Sequence, residues 1–238
     1  EDNKPEAISA MKEVIKNEEN IEVKVFETKY PQGGEKLLIK AALGREVPAG
    51  GLPLDVGVVV NNITTVLAVS EALETGMPLT KRAVTVTGEG IENPCNLIAP
   101  IGTPIKILIE AAGGFKGTPG KVIAGGPMMG VAQPNLEVPV IKGTSGLLVI
   151  PSEQVDDFEP SACINCARCV DSCPMRLLPT KLVDFVKNDM YEEAEEYQIE
   201  NCIECGCCSY ICPSNIPLVH YLRIGKAELA ARKRDNNE

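Results

Sequence analysis

Tryptophan is absent from this chain, aromatic residues make up only 4% of it, and there is one histidine, His220. No serine, cysteine or aspartate stands at a readable catalytic spacing from that histidine, so histidine-based catalysis is set aside and His220 is expected at the surface of the last helix. A long apolar run is also missing. The most apolar stretch, Leu52 to Val69, is broken by Asp55, Asn61 and Asn62, which excludes a direct membrane span. Basic charge is in deficit: the net charge is −10, with 17 acids against 14 bases in residues 1–150 and 16 against 9 in residues 151–238. Such a surface makes nucleic acid and bare anionic membrane poor partners. The one basic run, Arg232-Lys233-Arg234, reads as the solvated end of a terminal helix. The first residue is Glu1 rather than methionine, and Glu1-Asp2-Asn3-Lys4-Pro5 reads as a helix N-terminus with no element before it, so a fragment or a processed chain is expected. What remains is ordinary soluble composition: 238 residues, 44% hydrophobic, enough to bury a core.

Cysteine is abundant and clustered. Nine of the ten fall between Cys163 and Cys212, and eight form two copies of one pattern: Cys163-x2-Cys166-x2-Cys169-x3-Cys173-Pro174 and Cys202-x2-Cys205-x2-Cys208-x3-Cys212-Pro213. This is the bacterial two-cluster ferredoxin pattern, that of an electron carrier. Three thiolates, each three residues apart on a tight loop, converge on three irons of a cubane; the fourth iron needs a sulfur from elsewhere. The chain turns away at the Cys-Pro step and supplies its last cysteine to the neighbouring cluster. One [4Fe–4S] cluster is therefore assigned Cys163, Cys166, Cys169 and Cys212, and the other Cys202, Cys205, Cys208 and Cys173. A disulfide framework belongs to small secreted chains without a core. Zinc sites present two C-x-x-C pairs and leave the third cysteine of each run unexplained. Thiolates at this density call for a reducing compartment. Cys207, beside Cys208, breaks the spacing and reads as a packed or adjacent thiol, and Cys95 as a buried small hydrophobe.

Along the chain, Pro5 to Lys16 has helical spacing, Ile21 to Phe26 alternates as a strand, and Gly33-Gly34 opens a helix from Glu35 to Leu43. A short strand is expected at Val56–Val60, with Asn61 and Asn62 at its end and a helix from Ile63 to Glu74. From Arg82 onward, short strands at Ala83–Thr87, Lys121–Ala124 and Leu147–Ile150 surround a helix near Pro104–Ala112 and the Gly125-Gly126-Pro127 turn, which describes an α+β module. Ser152 to Pro160 is an acidic linker. The interval between the cysteine runs is patterned as helices, notably Thr180–Asn188 and Tyr191–Gln198, so an α-helical cluster domain closed by a helix from Pro217 to about Arg232 is expected.

These features together resemble the C subunit of the Rnf complex, an ion-translocating ferredoxin:NAD+ oxidoreductase. The resemblance covers essentially all 238 residues and rests on Tyr30-Pro31-Gln32-Gly33-Gly34-Glu35-Lys36, Gly44-Arg45-Glu46-Val47-Pro48, Gly50-Gly51-Leu52-Pro53, Val58-Val59-Val60-Asn61-Asn62, Gly125-Gly126-Pro127-Met128-Met129-Gly130 and the two cysteine runs. It implies three parts. Residues 1–80 would be the C-terminal part of an α/β domain like the NADH- and FMN-binding subunit of respiratory complex I; residues 81–150 a β-grasp domain of the soluble-ligand-binding (SLBB) type; and residues 151–238 the α-helical two-[4Fe–4S] ferredoxin domain. Members of the family carry a glycine-rich flavin loop that should precede Glu1, so FMN and NAD(H) are expected of the full-length protein.

The resemblance makes Asn61 and Asn62 FMN contacts, at a strand end where α/β proteins place ligands; paired asparagines that merely cap the Ile63 helix are the plainer reading. It places Glu35 near the nicotinamide nucleotide, with Gly33 and Gly34 letting backbone N–H groups approach an anion at a helix start, although an ordinary turn is the default there. Met128-Met129 reads as turn-side packing. The expected role is a peripheral electron-transfer subunit on the cytoplasmic side of the membrane, linking NAD(H), a flavin and two clusters to the other subunits of a membrane redox complex and, through them, to ferredoxin. Ile164, Ile203, Ile211 and Ile216 would exclude water from the clusters. Two other roles fit the same motifs: a cobalamin reductase of the microcompartment type, and a standalone ferredoxin-like carrier.

Overall fold

In the computed structural model, which describes residues 1–155 and 158–235, the chain divides after Val60 into two units, Glu1–Val60 and Asn61–Glu238. Asp156 and Asp157 of the acidic linker lie outside the described residues.

The first unit holds two helices. α1 (Pro5–Val14) begins on a proline, whose missing N–H is no loss in the first turn. α2 (Glu35–Leu43) stops at Gly44, which takes a left-handed φ of 68°. Neither strand expected here forms. Residues 21–26 carry the alternation of a strand but meet no partner strand, and residues 56–60 follow a 3-10 turn at Pro53–Val56 as irregular chain. A period of two gives a strand its faces, but only a neighbour supplies its hydrogen bonds. The 21–28 segment is held instead at its end: Asp2 accepts from the Thr28 N–H at 2.9 Å and from its hydroxyl at 2.6 Å, and the Asp2 N–H donates to the Phe26 carbonyl at 2.9 Å. Ile39 is the one buried side chain of this unit among the described residues.

The second unit starts with α3 (Ile63–Thr75), then builds a five-stranded sheet from β1 (Lys81–Thr87), β2 (Cys95–Pro100), β3 (Pro119–Ala124), β4 (Val131–Ala132) and β5 (Gly146–Pro151), with α4 (Ile105–Ala111) between β2 and β3. The strand order is β2-β1-β5-β3-β4; the central β1–β5 pair is parallel and the other pairs are antiparallel. Alternation places Val84 and Val86 of β1 and Leu147 and Val149 of β5 in one core, closed by Ile105, Leu108 and Ile109 of α4. A mixed sheet with one helix is the α+β module read from the sequence. β2 escaped that reading because its apolar pattern is ragged: Ile98 points out at 67% exposure while Ala99 is buried. Cys95, expected to be buried, is only partly so and packs against this core.

The remainder is helical as expected: α5 (Arg168–Asp171), α6 (Pro179–Lys187), α7 (Tyr191–Glu196), α8 (Cys207–Tyr210) and α9 (Leu218–Asp235). Leu182, Ile199, Leu218 and Leu222 are fully enclosed. α9 packs against α6 at Gly225, where a Cβ would stand 2.5 Å from Val186 Cγ2, and also 2.7 Å from Ile199 Cδ1. The basic end of α9 is solvated as expected, and it also carries surface ion pairs: Arg232 with Glu192 at 3.0 Å, and Lys233 with Glu195 at 2.7 Å and Glu200 at 2.8 Å. His220 is exposed on α9, as expected.

Substituting Gly225→Leu overfills this crossing and is expected to cost about 1–3 kcal/mol. The denaturant midpoint of the anaerobic protein should fall accordingly; an unchanged midpoint would show that the two helices do not meet there.

Candidate iron–sulfur centre

Each cysteine run folds through the same backbone. In the first, Asn165 (φ 54°) and Ala167 (φ 59°) are left-handed, the four-residue α5 follows, and Arg176 (φ 56°) turns the chain after Cys173-Pro174. In the second, Glu204 (φ 56°), Gly206 (φ 84°), the four-residue α8 and Asn215 (φ 50°) repeat these features. Corresponding residues stand 39 apart, as Cys163 does from Cys202 and Cys173 from Cys212. Alanine and glutamate enter the left-handed region at a cost of about 1–3 kcal/mol each, a strain that persists only where the surroundings enforce it. Here it aims backbone N–H groups at the thiols. The Asn165 N–H donates to Cys163 Sγ and the Glu204 N–H to Cys202 Sγ, both at 3.4 Å; the Leu177 N–H does the same to Cys173 Sγ at 3.4 Å.

The last cysteine of each run sits with the other run. Cys173 lines one cavity with Cys202, Cys205 and Cys208, closed by Leu177 and Leu222. Burial, then the neighbouring thiols of Cys202, Cys205 and Cys173, pushes the Cys208 thiol up to about 12. Burial also raises Cys202, with Cys173 and Cys205 adding to the rise. At the other set, burial raises Cys169 and Cys212 adds to it.

These are neutral thiols in an apolar setting, ready to lose protons to a metal that brings its own positive charge. An all-sulfur donor set in apolar surroundings with N–H···S bonds fits an iron–sulfur cluster. Among the described residues, no three Cys, His, Asp or Glu side chains converge closely enough to hold a single metal ion.

The two sets differ in cover. Cys163 and Cys166 are exposed, whereas Cys205 and Cys208 are buried. Of the four isoleucines expected to exclude water, Ile216 is buried and Ile203 lines the Cys202 cavity, but Ile164 is 66% and Ile211 38% exposed. Cys207 turns into the second cavity beside Cys205 and is raised to about 11, first by burial and then by Cys205. The covered set is also roofed by the sheet module: a Cβ on Gly206 would meet the Met128 carbonyl oxygen at 2.7 Å, and Arg223 Nη2 donates to the Met129 carbonyl at 3.2 Å.

Beneath that roof lies a feature the sequence did not announce. Glu204 accepts from Arg223 Nε at 3.0 Å and from Lys226 Nζ at 2.6 Å, and Lys226 also donates to the Cys202 carbonyl at 2.9 Å. The only sequence signal was the Arg223/Lys226 spacing, which puts both on one face of α9.

The nucleotide candidates lie in different units. Gly34 is the residue preceding α2 in the first unit, flanked by exposed Gly33 and Glu35. Asn61 and Asn62 open the second unit, both exposed. Asn62 Oδ1 caps α3, accepting from the Thr64 N–H at 3.0 Å and its hydroxyl at 2.7 Å, which is the plainer of the two roles expected of it.

Comparison with known proteins bears out the resemblance. Residues 1–71 match the Nuo51 FMN-binding domain, residues 83–132 the SLBB domain and residues 156–213 the 4Fe-4S dicluster domain. These matches support two [4Fe–4S] clusters and FMN as cofactors. The chain is 50% identical over 96% of its length to the C subunit of the proton-translocating ferredoxin:NAD(+) oxidoreductase complex of Clostridium ljungdahlii, covering 50% of that protein. It is 47% identical over 100% of its length to the Na(+)-translocating counterpart of Acetobacterium woodii, covering 54%. It is 45% identical over 97% of its length to the C subunit of the ion-translocating oxidoreductase complex of Erwinia tasmaniensis, covering 29%. The chain thus spans about half the length, or less, of these relatives. No helix among the described residues is long and apolar enough to cross a membrane.

Exchange of the fourth sulfur is tested by Cys173→Ser, expected to lower iron from about eight to about four per chain. Adding Cys202→Ser should remove no more, whereas adding Cys163→Ser should remove the rest. The reverse pattern would mean that each run keeps its own fourth cysteine.

Proposed function

We propose that this chain is the electron-relay portion of the C subunit of an ion-translocating ferredoxin:NAD+ oxidoreductase, passing electrons between NAD(H) and FMN and two [4Fe–4S] clusters. The relay would join, through partner subunits, ferredoxin turnover to ion movement at the cytoplasmic face of the membrane. The observation that supports this reading is that Cys173 lines the cavity of the second cysteine loop and Cys212 lies near Cys169 of the first, in two loops that share one backbone pattern. In this reading Cys163, Cys166, Cys169 and Cys212 hold one cluster and Cys202, Cys205, Cys208 and Cys173 the other, while residues 1–80, 81–150 and 151–238 are the flavin, β-grasp and cluster parts.

Bound clusters supply one-electron transfer; the residues of the chain position and insulate them. Cys173 and Cys212 tie the two loops together, which fixes the separation and orientation an electron must cross. The backbone N–H groups of Asn165 and Glu204 point at sulfur and favour its charged form. Leu177 and Leu222 keep water from the second set. Gly33, Gly34 and Glu35 at the start of α2, with Asn61 and Asn62, are the proposed FMN and nicotinamide contacts of the longer protein, and flavin is the two-to-one electron converter that NAD(H) chemistry needs.

Iron, sulfide and flavin analysis of anaerobically purified protein, with EPR after dithionite reduction, tests this directly. About eight irons per chain and two reducible clusters are expected. About four irons or fewer, or bound zinc in their place, would overturn the relay.

A further inference from the structure

The two cluster sites are related by the 39-residue repeat, and the repeat extends to their charged neighbours. Glu204, Arg223 and Lys226 of the second site correspond to Asn165, Asp184 and Lys187 of the first. At the second site the three side chains form a closed and partly buried clasp, their side chains 27–36% exposed. At the first, the three line an open groove beside Cys163, no ion pair joins them among the described residues, and Lys187 Nζ rests over the Tyr221 ring at 4.7 Å. The same places in one repeat thus carry a net charge of +1 at the second site and none at the first. Lys226 touches the backbone carbonyl of Cys202, an expected ligand, while Glu204 is in that same loop.

Reduction of a cluster adds one electron, takes up no proton and breaks no bond, so the site gains one negative charge. A fixed cation half-withdrawn from water favours that state, because screening there is weaker than at the surface. Exclusion of water acts the other way, and the second site is the more enclosed. We propose that Glu204, Arg223 and Lys226 are positioning residues whose net positive charge raises the reduction potential of the second cluster, offsetting the lowering that burial imposes. The proposal rests on the two-cluster reading.

EPR-monitored redox titration of the full chain, loaded anaerobically with both clusters, separates this role from a structural one by sign. Lys226→Met removes a positive charge and is expected to shift the second cluster to a more negative potential. Glu204→Gln removes a negative charge and should shift the same cluster to a less negative one, while Lys226→Arg stays near the parent value. The first cluster should not move in any of them, and a Cys202→Ser chain identifies its signal. If the clasp served only to hold the loop closed, Lys226→Met and Glu204→Gln would loosen it alike and shift the potential in the same direction. Shifts of the same sign, or none, with iron at about eight per chain would overturn the clasp. A parent protein with fewer irons would instead overturn the two-cluster reading beneath it. Should Lys226→Met shed iron, Lys226→Gln makes the same charge change and Glu204→Gln still carries the opposite sign.

Discussion

In the proposed two-cluster arrangement each cysteine loop presents three sulfurs and lacks the fourth, and much of the cluster domain is organised around that shortage. Cys173 lies with the Cys202 loop and Cys212 near Cys169, the interlocked arrangement that the proposed exchange of the fourth sulfur requires. The Cys-Pro steps send the chain across, left-handed residues at matching positions aim backbone N–H groups at the sulfurs, and α6 and α9 leave the two sites as related helices. Those helices meet where Val186 faces Gly225, positions that themselves stand 39 residues apart. The internal repeat therefore passes through the helix crossing, and only a residue without a side chain lets its two halves close.

Symmetry of backbone did not become symmetry of environment. The first site keeps Cys163 and Cys166 in solvent, while the second is roofed by the Met128-Met129 loop and tied by Glu204, Arg223 and Lys226. Two centres on one scaffold can differ in redox character through such neighbours alone, because the ligands are the same and the surroundings are not.

The sequence was most legible where chemistry demands fixed spacing. The cysteine runs, the helices at residues 35–43 and 179–187, and the closing helix could be read from motif, caps and periodicity. Strands were harder. Residues 21–26 have the right alternation and no partner, and β2 has a partner in β1 but an irregular pattern, since a ladder depends on a segment elsewhere in the chain. The clasp was hidden for the same reason: Glu204 and Lys226 are 22 residues apart, and no local rule pairs them. Water exclusion was overread from composition, for Ile164 is apolar yet exposed, and nothing in its own neighbourhood of sequence says which repeat will be roofed.

Gly206 carries a consequence of its own. Its left-handed backbone lies against the Met128 carbonyl with no room for a methyl group, while Ala167, its counterpart, fits a methyl group at the uncovered site. A roof on one repeat and open sky over the other divides the domain into a sheltered half and a weathering half. Oxidants and chelators arriving from solvent meet Cys163 and Cys166 directly, whereas Cys205 and Cys208 are buried from them.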